Sequence, residues 1–182
     1  MFRFVLFIIV IFVSFGYKNI LNFEKILWQA DRKLTWQDFK GKVEKDTISD
    51  LTVARVCVKI DITYINDSEN GIPKFKVESF MIPKLSWTII DDAYNLEHEQ
   101  LHFDLTEIYA RKTRRAFDSL SKKKVKAYEL YHKTFNNYYE QLMKAHKKYD
   151  SEVYFNVKRQ NLWKNKIRNE LKKMDSYKLL ED

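Results

Sequence analysis

Hydrophobic positions along the chain change their period near residue 90. From Leu51 to Ile65 (LTVARVCVKIDITYI), Val56, Val58, Ile60 and Ile62 alternate with Cys57, Lys59, Asp61 and Thr63. That alternation predicts a strand with one buried face. Lys74 to Pro83 (KFKVESFMIP) alternates in the same way, and Asn66 to Pro73 between them carries turn residues, with Asn70-Gly71 at the tip. The two runs predict an antiparallel hairpin. Upstream, Thr35 is placed to cap a short helix over Trp36–Phe39.

Beyond Asp91-Asp92, which suit a helix N-cap, apolar residues recur at helical spacing. A first helix is predicted through His98 to about Leu120. A second runs from roughly Lys122 to Lys147, with Val125, Tyr128, Leu130, Phe135, Tyr138, Tyr139 and Leu142 as its inward stripe. A break at Tyr149–Asn156 precedes a third, Val157 to Met174, with Leu162, Trp163, Ile167 and Leu171 facing inward. Few strands early and long helices late define an α+β fold. It is expected as a small antiparallel sheet, with its hairpin near residues 51–83, covered by long C-terminal helices. No linker or repeat divides residues 17–182, so one domain is expected there.

Composition narrows the picture. The 182 residues are 45% hydrophobic and 15% aromatic with 3 Gly and 2 Pro, which excludes a mainly disordered or collagen-like chain. Cys57 is the single cysteine, so there is no intrachain disulfide and no Cys-rich zinc module; it is expected as a small buried strand residue. The net charge of +8 is spread along the chain. Runs such as Lys122-Lys123-Lys124 read as solvated helix faces, not as a nucleic-acid surface. Residues 1–16 (MFRFVLFIIVIFVSFG) place Arg3 before an apolar run from Phe4 to Val13, then Ser14 and Gly16. This is the layout of a cleaved secretory signal; an uncleaved membrane tether through residues 4–17 is the alternative. An exported protein, periplasmic or secreted, is expected.

One constellation carries chemistry. His98-Glu99-Gln100-Leu101-His102 is an HExxH sequence within the first long helix. Spacing of four sets both imidazoles on one face, where both reach a single zinc ion, and Glu99 stands beside them as general base. A catalytic zinc takes a third protein ligand. Ile108 stands where a histidine would extend the motif, and residues 122–127 (KKKVKA) hold no glutamate. Glu107 and Asp104 project from the wrong side of the helix. Glu152 or Asp150, in the break between the second and third helices, is left as third ligand. Asp150 has a competing role as the cap of the last helix. His132 and His146 sit on a Lys-rich helix and read as surface histidines.

The chain is similar to bacterial domain-of-unknown-function family 922, described as secreted zinc-dependent proteases. HEQLHFDLTE at 98–107 carries the resemblance most specifically. LTWQDFKG at 34–41, Ser86-Trp87, Tyr149-Asp150-Ser151-Glu152, and Gln160 with Trp163 extend it over most of residues 30–172. Relatives often carry a histidine shortly after the Tyr-Asp-x-Glu segment, where this chain has Tyr154-Phe155-Asn156. The resemblance implies an exported Zn²⁺-dependent peptidase acting on a peptide or protein, with a zincin-like active-site helix. The alternative is a non-catalytic exported envelope domain that keeps HExxH as a structural zinc site or as helix packing.

Overall fold

A computed structural model describes residues 24–43, 53–153 and 156–179. The apolar run of residues 1–16, the first two residues of the 51–65 run, and Tyr154-Phe155 lie outside them. Among the described residues, five strands precede three helices: β1 (Ile26–Leu27), β2 (Ala54–Arg55), β3 (Val58–Asp67), β4 (Pro73–Met81), β5 (Trp87–Thr88), α1 (Ala93–Lys122), α2 (Tyr128–Val153) and α3 (Val157–Lys173). The fold is α+β, as the change of period predicts.

β3 and β4 form the expected hairpin, with Val58, Ile60 and Ile62 opposite Met81, Ser79 and Val77. Ile60 and Val77 are buried in one cluster with Leu101, Leu105 and Ile108 of α1. At the turn, Ser68 N donates to Ile72 O at 2.8 Å, and Gly71 takes φ 70°, which only glycine adopts without strain. β1 pairs with the other edge of β4, giving the order β1-β4-β3, while β2 and β5 form a separate ribbon. Both of these are two-residue pairings, too short to show a period. The short turn of helix at Trp36–Asp38 follows Thr35, whose N–H donates to Asp38 Oδ2 at 2.8 Å.

The 51–65 run is not one strand. At Val56-Cys57 the backbone N–H groups bond side chains: Val56 N donates to Glu99 Oε2 at 2.9 Å and Cys57 N to Ser86 Oγ at 2.8 Å, while Cys57 O accepts from Ile82 N at 2.9 Å. Cys57 is therefore half-buried between β2 and β3, not a buried strand residue.

α1 begins as predicted, with Asp92 Oδ1 accepting from Asn95 N at 2.9 Å. The second helix is shifted toward the C-terminus. α1 ends where Lys124 takes φ 56°, and α2 then runs through the expected break to Val153. Its inward seam is Tyr131, Leu142, Tyr149 and Val153, so packing continues across residues read as a loop. Leu130 and Leu162, expected inward, are exposed. Asn156, not Asp150, caps α3: its Oδ1 accepts from Arg159 N at 3.0 Å.

One buried carboxylate ties these elements together. Glu107 is 1% exposed. Ser79 of β4 donates to its Oε2, and Arg111 Nε and Arg114 Nη1 donate to its Oε1 at 2.8 and 2.9 Å. The arginines continue outward, Arg111 to Leu171 O at 2.8 Å and Arg114 to Val77 O and Tyr177 O, both at 2.9 Å. Removing one charge from such a buried set strands the others without partners. Glu107→Gln is expected to cost about 3–5 kcal/mol in urea unfolding. Asp118→Asn, which breaks the exposed pair with Lys122, should stay within about 0.5 kcal/mol.

Candidate metal centre

α1 carries His98 and His102 on one face, and α2 crosses that face so that Asp150 meets them. His102 Nε2 lies 2.8 Å from Asp150 Oδ1 and 3.1 Å from His98 Nε2; His98 Nε2 lies 3.3 Å from Asp150 Oδ1. Ligand atoms around a tetrahedral zinc stand about 3.3 Å apart for bonds near 2.0–2.1 Å. The triangle is thus close to the size a zinc ion needs, and two imidazoles with one carboxylate are a donor set that zinc accepts. Asp150 is 54% exposed while His102 is 12% exposed, so the group is walled on the α1 side and open to solvent beside the carboxylate. Among the described residues this is the group with metal-ligand spacing.

The electrostatics follow from this contact. Burial works to lower the pKa of His102, but the Asp150 hydrogen bond and the charges of Glu99 and Asp150 outweigh it and raise it. Burial works to raise the pKa of Asp150, and its bonds to His102 and His98 hold it well below the usual carboxylate range. A carboxylate whose ionised form is favoured, facing two ring nitrogens, is a charge pattern that favours a cation between them.

A second layer fixes the rings. Tyr149, fully buried, stacks on His98 with centroids 4.8 Å apart and meets His102 edge-on at 4.9 Å. His102 Nδ1 lies 2.8 Å from His146 Nδ1. Burial, and then the neighbouring His102, push the pKa of His146 down to about 3, which keeps it neutral. Thr106 Oγ1 donates its proton to His102 O at 2.8 Å, so it can only accept from His146 Nε2, 3.4 Å away. His146 Nε2 then carries the ring proton, and its bare Nδ1 accepts from His102 Nδ1–H. This assignment points the lone pair of a neutral His102 at the shared position with His98 and Asp150, the orientation a metal ligand requires.

Glu99 is 5% exposed and its Oε2 accepts the Val56 N–H, which holds the carboxylate at the start of the sheet. Its charge is felt by His102 and by Tyr149, whose phenol is raised by burial first and then by Glu99 and Asp150. Glu99 is therefore beside the histidines without contacting the triangle.

Of the two carboxylates read from sequence as third ligand, Asp150 is brought to the histidines and Glu152 is not. Glu152 accepts from Trp163 Nε1 at 2.8 Å and pairs with Lys148 at 3.7 Å, on another side of α2. The continuous helix explains the difference, since residues two apart on a helix diverge by about 200°. Asp104 is buried and accepts from Trp28 Nε1 at 2.7 Å and Gln100 Nε2 at 2.8 Å, clear of the site, as its helical position predicts. His132 is exposed. His146 is not a surface histidine. Leu142, His146, Tyr149, Asp150 and Val153 share one face of α2; Leu142 and His146 already stood four apart in the predicted helix, and the lysines around His146 masked that signal.

The chain matches no family model, no curated protein and no solved structure.

Elemental analysis of protein purified without chelator should find close to one zinc per chain. Asp150→Ala and His102→Ala are expected to lose it, and Glu152→Ala to keep it. His146→Phe retains a ring of similar size but no Nδ1 acceptor; zinc affinity measured by competition with a chelating dye should fall roughly 10–100-fold.

Proposed function

We propose that this chain is a zinc-dependent peptidase in which His98, His102 and Asp150 hold the ion and Glu99 is the general base. The observation that supports the reading best is the meeting of the HExxH histidines with a carboxylate from a separate helix, at edges of 2.8–3.3 Å. Bound zinc would polarise a scissile carbonyl and lower the pKa of a coordinated water toward neutrality. The protein residues then have distinct tasks. Asp150 and the two imidazoles orient the site, and the open side at Asp150 admits the peptide. Glu99, steadied by Val56 N–H, takes the proton of the attacking water and passes it to the leaving amine. Tyr149 and His146 keep the rings in register.

The resemblance to domain-of-unknown-function family 922 agrees with this assignment, because its most specific segment, residues 98–107, spans both histidines and Glu99. Export belongs to the same proposal and rests on the signal-like pattern of residues 1–16. No helix among the described residues is long and apolar enough to cross a membrane.

Glu99→Gln decides between a catalytic and a structural zinc site. In a peptidase the amide cannot accept the proton, so hydrolysis of a denatured protein substrate should fall by roughly 10²–10⁴-fold while zinc content is retained. Zinc retained with hydrolysis equally absent from wild type and variant would assign the site a structural role.

A further inference from the structure

Beside α1, with none of His98, Glu99, His102 and Asp150 in its lining, a cavity of about 830 Å³ opens between α1, α3 and the segment from Trp28 to Leu34. Its volume falls within the range of roughly 300–1,000 Å³ that small-molecule sites occupy. The interior is apolar: Leu34 and Leu101 are buried at its floor, and Trp28, Leu96 and Leu171 form its walls.

The polar groups inside are already committed to one another. Gln100 Oε1 accepts from Leu34 N at 2.7 Å and its Nε2 donates to Asp104, which also accepts from Trp28. Arg111, although part of the lining, is 2% exposed and bonded to Glu107 and Leu171 O. A ligand body entering here finds few free hydrogen-bonding groups, so an uncharged polar body would lose its water bonds without replacement.

The rim differs. Each carboxylate bordering the cavity has a partner: Glu97 is paired with Lys164, Asp104 is bonded as above, and Asp175 lies 3.6 Å from Arg111. Arg168 and Lys172, four residues apart on α3 and both exposed, have no carboxylate partner among the described residues. A lone cationic helix face is satisfied by water. Here the two unpaired cations edge an apolar cavity, and that combination selects a ligand with an apolar body and one anionic end.

We propose that this cavity binds a free amphipathic carboxylate of the fatty-acid type, with its alkyl chain along Trp28, Leu96 and Leu101 and its carboxylate at Arg168 and Lys172. The site is separate from the histidine face, so the proposal stands or falls independently of the zinc reading.

The test is calorimetric titration of the full chain with dodecanoate below its micellar concentration. Saturable binding near one equivalent per chain is expected. The double variant Arg168→Glu with Lys172→Glu should weaken it by at least about tenfold while leaving zinc content and helical circular dichroism unchanged. Leu96→Trp, which narrows the cavity at its wall, should weaken binding, and Trp28→Phe should remove the change in tryptophan emission that accompanies it. Dodecanol should bind at least about tenfold more weakly than dodecanoate. Absence of saturable binding, equal binding of dodecanol, or indifference to the charge reversal would overturn the proposal. Adsorption to phosphatidylglycerol vesicles without binding of monomeric dodecanoate would also overturn it, assigning the cations to a membrane surface.

Discussion

The architecture depends on keeping one carboxylate fully partnered out of water. Glu107 sits in the middle of α1, and its two oxygens collect Ser79 from the sheet and Arg111 and Arg114 from the next turns of its own helix. Those arginines reach the carbonyls of Val77, Leu171 and Tyr177, so β4, α1 and the end of α3 are fixed to one point. Desolvating this set is expensive unless every member keeps its partner. The geometry tolerates little displacement of α1, and everything α1 carries on its other faces inherits that rigidity. A metal held on the histidine face would benefit directly, since ligand positions must hold to within a few tenths of an ångström.

α1 is buried along most of its central turns, unlike an ordinary amphipathic helix. Its sheet-facing and helix-facing sides divide the work. Leu101, Leu105 and Ile108 join the main core, Phe103 joins Leu34, Phe39 and Met81 in a second cluster, and the histidines are left to face α2. Glu99 is joined to Val56 at the point where the strand run breaks, so the irregular backbone at Val56-Cys57 ties the sheet to the candidate site. Ser86, fully buried, secures the next residue by accepting from Cys57 N and donating to Ile82 O. Gly41 packs against the same segment, where an added Cβ would lie 2.7 Å from Ser86 O. The segments LTWQDFKG and Ser86-Trp87 thus meet around the strand segment that holds Glu99.

The β3–β4 hairpin and the first helix were legible because each satisfies its pattern locally. Alternation identified the β3–β4 hairpin, Asn70-Gly71 its turn, and Asp92 the start of α1. The boundary between α2 and α3 was not legible, because Asp150 and Ser151 resemble capping residues and Tyr149 resembles a loop aromatic. Their helical state is set by contacts distant in sequence: Tyr149 is clamped between His98 and Trp163, the latter with ring centroids 5.5 Å away. His146 lay within the predicted second helix and was hidden instead by the lysines around it, its partner being 44 residues away. Local chemistry marked the HExxH pair and left two carboxylates open as its companion. Only the course of α2 separates them, turning Asp150 inward and Glu152 toward Trp163.

The companion's origin on a second helix changes what the site does for the fold. His98 and His102 share one rigid turn and would stay paired even if the other helices moved. Asp150 arrives only if α2 is docked, and docking there rests on Tyr149, whose ring fills the space between His98, His102 and Trp163. Tyr149 is therefore the spacer that sets the separation between the imidazole pair and the carboxylate. An ion held by all three would in turn link α1 to α2 directly, beside the ring packing of Tyr149 and the His102–His146 contact. Metal affinity and helix docking are then two readings of one equilibrium, because whatever favours the docked arrangement of α2 also favours the ligand set.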